Sequence, residues 1–379
     1  MGEIRIFVLT ANQERLTKTN KMHIKTLELT NYRNHKNLAL DFSKDITLIT
    51  GENGSGKTNI IEAINLLSTG KGFKSSFDKE TICYEEKSST IKGVITKEAE
   101  NSEETEVRIG VMIEKTEDIT NKSIKTVKIN GKPARIGALS DNFNTVLFSP
   151  LEMNLLVNGP SQRRDFLDTL LSQGDSEYKK NLSDYTKVRR QRNKVLETIR
   201  ETQAGYAQLK FWNERLVNYG KDLQKKRNEF FEYLNANINE TVQKVDVKIK
   251  TQVKYLINPA LEEKLENIQE REIAAGTTLI GPHRDDFMFT SVEYGENQDL
   301  AKYASRGQQR TLILGLKLCE LNYLRERIKD KPVLLLDDIF SELDENHRKA
   351  VEELVYSQQT IITSTDKPLE YKDLPRIEL

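Results

Sequence analysis

Eight consecutive residues, Gly51-Glu52-Asn53-Gly54-Ser55-Gly56-Lys57-Thr58, form a complete G-x-x-x-x-G-K-T pattern. They constrain the fold more than any other stretch, because the pattern works only between a strand and a helix. Both flanks are present. Ile46-Thr47-Leu48-Ile49-Thr50 is apolar and β-branched, whereas Ile60-Ile61-Glu62-Ala63-Ile64-Asn65-Leu66-Leu67 has helical periodicity. Glycines let successive backbone N–H groups turn inward on an anion at a helix N-terminus, where the dipole also favours negative charge. The ligand this implies is a nucleoside triphosphate. Lys57 would reach its β- and γ-phosphates, and the Thr58 hydroxyl would ligate Mg²⁺.

A chain of 379 residues can bury a large core in one large or two interleaved domains. Charged residues make up 31% of it and mean hydropathy is −0.61. No apolar run approaches the roughly 20 residues of a membrane span, and the N-terminus lacks the charged-then-apolar layout of a secretion signal. A cytoplasmic protein without membrane partners is the expectation. Cys83 and Cys319 are far apart and lack metal-ligand spacing, so both read as structural thiols. The 58 basic and 58 acidic side chains cancel, so only local patches could attract nucleic acid.

Residues 1–21 precede a second methionine, Met22, and read as a poorly ordered extension. Between Ile91 and Ile129 the alternation predicts antiparallel strands, with Asn130-Gly131 as a hairpin turn. The acidic run Glu98 to Glu106 reads as a solvated loop. From 161 to 244 the chain is helical, charged and nearly free of Gly and Pro, which predicts long helices forming an arm. Its basic cluster, Lys187 to Lys194, reads equally as a solvated helix face. A helix is expected from Leu261 to Ala275, followed by strand alternation from Phe287 to Val292.

Pro332-Val333-Leu334-Leu335-Leu336 is an apolar run that ends in Asp337-Asp338. A buried parallel strand that delivers a carboxylate at its C-terminal end supplies the metal-associated group of a phosphate-loop ATPase, here Asp337. Asp338 is placed to orient or deprotonate the attacking water. Upstream, Ser305-Arg306-Gly307-Gln308-Gln309 opens a helix whose apolar positions Leu312, Leu316, Cys319 and Tyr323 share one face. Ser305 and Gly307 at a helix N-terminus make a second anion site, although Ser-x-Gly is also an ordinary N-cap.

In this order these motifs resemble the SMC-type ATP-binding-cassette (ABC) ATPases, with a D-loop at Ser341-Glu342-Leu343-Asp344. Finer matches narrow the resemblance to the RecF family of bacterial recombination mediators. These are Asn31-Tyr32-Arg33-Asn34-His35, Leu66 to Phe73, Phe148-Ser149-Pro150, Arg163 to Asp168, Gly281 to Asp286 and Ser305 to Arg310. The fold this implies is α/β, an ABC-type ATPase head (a mixed sheet with helices) over 22–160 and 245–379, with a helical arm inserted at 161–244. The cofactors implied are ATP and Mg²⁺. The loop Gly51, Glu52, Asn53, Gly54, Ser55, Gly56, Lys57 and Thr58 would hold the nucleotide, while Ser305, Gly307 and Gln308 of a second subunit would close over its γ-phosphate. Lys57 and Asp338 would be catalytic, and Thr58 and Asp337 would hold the metal.

The family resemblance further implies an ATP-dependent homodimer that binds double-stranded DNA and single-strand/double-strand junctions. It would hydrolyse ATP slowly and act with RecR and RecO to load RecA in DNA repair, replication restart and the SOS response. Asp338 stands where such ATPases usually carry Glu. A displacement on the order of 1 Å can lower a rate about 10²-fold, which predicts slow turnover. Arg306 replaces the more usual Gly or Gln of the signature, and the switch-histidine position falls on Thr365. Another SMC-like ABC ATPase is one alternative, and a transporter's nucleotide-binding subunit is the other. Against the latter, Lys57 and Ser305 are separated by the whole arm.

Overall fold

The computed structural model describes residues 20–74, 77–98, 103–116, 123–291, 295–341, 343–365 and 374–379. In chain order, the elements begin with β1 (Asn20–Tyr32), β2 (His35–Asp41), β3 (Ile46–Thr50), α1 (Lys57–Thr69), β4 (Ser88–Glu98), β5 (Glu104–Lys115), β6 (Ser123–Ile129), β7 (Lys132–Ala134), α2 (Leu139–Asn142) and β8 (Thr145–Phe148). The helical stretch follows as α3 (Pro160–Gly174), α4 (Ser176–Thr202) and α5 (Tyr206–Val245). Then come β9 (Thr251–Leu256), α6 (Glu262–Asn267), α7 (Gln269–Ala275), β10 (Asp286–Ser291), β11 (Gly295–Asp299), α8 (Leu300–Tyr303) and α9 (Arg306–Ile328). The chain closes with β12 (Asp330–Lys331), β13 (Val333–Asp337), α10 (Glu345–Val355), β14 (Thr360–Ser364) and β15 (Arg376–Glu378).

Two compact units emerge. The first gathers the chain up to Thr145 with Arg325–Leu335 and Leu354–Leu379, and the second gathers Val146–Leu324 with Leu336–Glu353. The second therefore takes in the expected arm, the chain from there to Leu324 in α9, and Leu336–Glu353 with most of α10. Of the proposed N-terminal extension, residues 1–19 lie outside the described residues. Asn20 and Lys21 already belong to β1, where they pair with Asp330 and Lys331, which corrects the expected boundary at Met22.

In the first unit, β1, β4, β5 and β6 form an antiparallel sheet whose alternation follows the sequence. Ile109, Val111 and Ile113 are buried, while Arg108, Met112 and Glu114 face out. Asn130 (φ 50°) and Gly131 (φ 78°) both take left-handed conformations, as a two-residue type I′ hairpin demands. The acidic run is not all loop, because Glu104 and Glu106 lie in β5 and pair with Lys44 and Lys25 across the surface. In the order β15-β3-β14-β13-β8, β3 and β14 run parallel and are buried along their whole length. That burial explains their unbroken apolar runs.

In the second unit, α4 and α5 fold back on each other through the short turn at Gln203–Gly205, where Gly205 (φ 110°) caps α5. The helix expected over 261–275 is two helices broken at Ile268, whose φ of −111° and ψ of 5° leave the helical region. Strand β10 starts at Asp286, and Val292 lies outside the described residues. Helix α9 buries more than one face. Ile313, Leu314, Leu321 and Leu324 are as covered as Leu312, Leu316, Cys319 and Tyr323. The sequence underestimated this because Lys317, which reads as a surface residue, is buried against Glu152 and Glu320.

That second unit is held by a buried ionic hub. Arg227, 1% exposed on α5, donates to Asp285 (2.9 Å), Asp168 (2.7 Å), the Tyr178 hydroxyl (2.9 Å) and the Pro282 carbonyl (2.7 Å). Asp285 also accepts from Gln224 Nε2, Tyr255 and the Asn258 amide. Beside it Arg163 grips Asp286 through two nitrogens, and Arg164 donates to the Asp285 carbonyl. Two motifs that carried the resemblance, Arg163 to Asp168 and Gly281 to Asp286, are thus scaffolding that ties α3 and α5 to β10.

Candidate functional site

The phosphate loop begins where β3 ends and closes on the first turn of α1. Gly54 (φ 86°) and Gly56 (φ 106°) are left-handed, a conformation that a side chain resists. A Cβ on Gly56 would also sit 2.4 Å from His35 Nε2. Lys57 is buried, and its ammonium donates to the carbonyls of Gly51 (2.7 Å) and Glu52 (2.9 Å). The Ser55 hydroxyl is buried without a partner. Such an orphaned group at the floor of an N–H-lined loop fits a bound phosphate oxygen. Glu52 and Asn53 are exposed, and Thr58 is half-buried at the start of α1.

The tip of the β1–β2 hairpin braces this loop from behind. Asn34 donates to the Ser55 carbonyl (3.1 Å), and His35 Nε2 donates to the Gly56 carbonyl (3.2 Å). Arg33 binds both oxygens of Glu62 at 2.8 Å, and the Tyr32 hydroxyl donates to the same carboxylate at 3.1 Å. Glu62 is fully buried on α1. Burial, with the Glu62 charge adding, pushes the Tyr32 hydroxyl well above its ordinary range. The hairpin tip pays a conformational cost for these contacts, since Asn31 (φ 52°) and Arg33 (φ 55°) are both left-handed. Asn31 to His35 is part of the resemblance, yet nothing in the sequence assigns it this task. Its one available sign was Glu62, the single carboxylate of α1, set among Ile60, Ile61, Ala63 and Ile64.

In the second unit, β13 ends in Asp337, which is buried, and Asp338 follows half-buried with a left-handed φ of 49°. The Asp338 carbonyl accepts from Ser341 Oγ at 2.7 Å, which fixes the turn that follows the strand. No cluster of three or more metal-ligating side chains occurs among the described residues. One hydroxyl and one carboxylate suffice for a Mg²⁺ that takes its remaining ligands from phosphates and water, and Thr58 and Asp337 are residues of that kind.

Ser305 caps α9 reciprocally with Gln308. The Gln308 amide donates to Ser305 Oγ at 3.2 Å, and the Ser305 amide donates to Gln308 Oε1 at 2.9 Å. Ser305, Arg306, Gly307 and Gln308 are all exposed, and the space around Gly307 is open. The turn is therefore ordered and presented to solvent. Of the D-loop, Glu342 lies outside the described residues, whereas Asp344 caps α10 by accepting from the His347 amide at 3.1 Å. Thr365 is exposed just beyond β14. Gly51 to Thr58 and Thr365 belong to the first unit, and Asp337, Asp338 and Ser305 to Gln308 to the second.

Residues 23–372 match the sequence profile of the RecF/RecN/SMC N terminal domain. The DNA replication and repair protein RecF of Lachnoclostridium phytofermentans is 38% identical over 349 residues, which cover 91% of this chain and 93% of that protein. The RecF of Agathobacter rectalis is 36% identical over 352 residues, 91% of this chain and 92% of the relative. Among solved structures, the recombination mediator protein RecF-ATP of the RecFOR pathway superposes with a TM-score of 0.83 at 31% identity, covering 96% of both chains.

Proposed function

The chain belongs to the RecF family of SMC-type ABC ATPases, and from that premise we propose that it is an ATP-dependent DNA clamp of recombinational repair. The observation that carries this reading is the signature turn. Ser305, Gly307 and Gln308 are held in order by their own reciprocal cap and exposed to solvent, which suits a phosphate brought in by a second copy.

In this reading the backbone of Gly51, Glu52, Asn53, Gly54, Ser55 and Gly56 cradles ATP, and Lys57 neutralises the β- and γ-phosphates. Thr58 and Asp337 hold Mg²⁺, which screens the phosphate charge. Asp338 orients the attacking water. Ser305, Gly307 and Gln308 of the partner copy close the site, so nucleotide binding and dimerisation are one event. Arg306 lies on the same turn.

DNA is bound in the dimeric state through phosphate neutralisation, at duplex and single-strand/double-strand junctions. Hydrolysis is slow, stimulated by DNA, and times release. RecR and RecO are the pathway partners, and RecA is loaded as the outcome. Light scattering with and without ATP-Mg²⁺ tests the foundation. ATP should convert monomer to dimer in the wild type and not in Ser305→Arg, whereas a mass unchanged by ATP in the wild type would refute it.

A further inference from the structure

His347 lies on the first turn of α10, 5% exposed, between two parts of the second unit. Its Nδ1 is 2.6 Å from Asp344 Oδ1 in the D-loop, and its Nε2 is 2.7 Å from the hydroxyl of Thr311 on α9. That hydroxyl is also 3.1 Å from the carbonyl of Gly307, the signature glycine. Thr311 is 1% exposed, so no water competes for these bonds.

Counting protons decides what this chain of contacts can do. A carboxylate has no proton to give, so the hydrogen between His347 and Asp344 must be on Nδ1. Hydrogen bonds from the His347 amide and ring hold the Asp344 carboxyl below its usual range, which keeps it ionised. Thr311 has a single hydroxyl proton and two acceptors in reach. When the ring is neutral, Nε2 carries a lone pair and takes that proton. When the ring is protonated, Nε2–H donates to Thr311 Oγ1, and the hydroxyl proton moves to the Gly307 carbonyl.

We propose that His347 is a positioning residue that couples the D-loop to the signature turn, with Thr311 as the switch that binds Gly307 only when the ring carries its second proton. Other charged groups lie on the elements that meet here. Arg348 turns its guanidinium onto the carbonyls of Phe340 and Leu343, and Arg310 is half-buried beside Thr311 on α9. Asp344 is thus the carboxylate bonded to the ring. A protonated ring ties down the Gly307 carbonyl, and with it the peptide whose Gln308 N–H caps onto Ser305, and adds positive charge close to the turn that meets the γ-phosphate in the proposed dimer. ATP-dependent dimerisation should therefore tighten as pH falls. That consequence rests on the composite-site reading, whereas the relay itself lies within one subunit.

The test follows both levels in the full chain. With [1-¹³C]glycine labelling the protein has at most 19 glycine carbonyl signals, and with labelled histidine four imidazoles. Gly307→Ala and His347→Gln identify the relevant pair. In the wild-type monomer the Gly307 carbonyl should shift with the same pH midpoint as the His347 ring. Thr311→Val should abolish that shift, and Thr311→Ser, which keeps the hydroxyl, should preserve it. A Gly307 signal that ignores the ring's titration, or follows it equally in Thr311→Val, overturns the relay. With ATP-Mg²⁺, the wild-type dimer should tighten about fivefold across the same titration, in the range of ordinary site coupling, and the dimer of His347→Gln should not. A relay seen in the monomer with no ATP-dependent dimer at any pH would support the relay and refute the composite site instead.

Discussion

Removing the Asp285 carboxylate should uncouple the second unit's scaffold, and the structure sets the size of the effect. In Asp285→Ala, Arg227 retains Asp168 and the Pro282 carbonyl, and Gln224 retains the Asn258 carbonyl. The Asn258 amide loses its 2.7 Å acceptor and Tyr255 loses the carboxylate it donates to. Two donors left without acceptors cost about 1–3 kcal/mol each. Breaking a buried ion pair on one side costs about 3–5 kcal/mol, which lies inside the sum for the two donors. Trp212, the single tryptophan of the chain, lies on α5 in the same unit and reports its unfolding by fluorescence. With a urea slope on the order of 3 kcal/mol/M, the midpoint should fall by about 1–1.7 M. The exposed pair Lys349–Glu345 on α10 is the control, and Lys349→Ala should leave the midpoint unmoved. A drop below about 0.3 M in Asp285→Ala, less than 1 kcal/mol on that slope, would refute the view that the hub holds the unit together.

Acid should act through His283. Burial, helped by Arg189, Arg284 and Arg164, lowers its pKa to about 4. The unfolded chain, titrating near 6.5, then binds the proton more readily than the native state, so His283 stabilises above about pH 6.5 and that stability is lost as pH falls toward 4. The difference is about 2–3 kcal/mol, and Trp212 unfolding curves for His283→Gln between pH 7 and 4.5 should be flatter by that amount than wild-type curves. Lys57→Ala should weaken binding of a fluorescent ATP analogue about 10- to 100-fold, the loss of one charge-assisted phosphate contact, and unchanged affinity would remove Lys57 from the nucleotide site. DNA affinity of the ATP-bound protein should fall with salt at a log-log slope of about −0.9 per phosphate contacted; a flat profile would rule out binding through the phosphate backbone.

Local physics made the nucleotide loop legible. Gly54 and Gly56 are demanded by left-handed backbone, the β-branched run before them by a strand buried on both faces, and the Ser305–Gln308 cap by the orphan N–H groups of a helix end. The glycines and the cap depend on neighbours within a few residues, and the strand declares itself in its own unbroken apolar run, so sequence alone determined the fold class, the loop and the family resemblance. Other features were decided by side chains far apart in the chain. Whether Lys317 is a surface charge or a buried one depends on Glu152, 165 residues away. Arg163 to Asp168 and Gly281 to Asp286 read as motifs until Arg227 and Asp285 bring them onto one hub, and the partners that bury Glu62 in α1, Arg33 and Tyr32, come from the β1–β2 hairpin. His347 gave no signal at all, because its meaning lies in one hydroxyl proton on another helix, shared between its own ring and a backbone carbonyl. Buried polar groups take their roles from the partners that satisfy them, and only the tertiary structure supplies those partners.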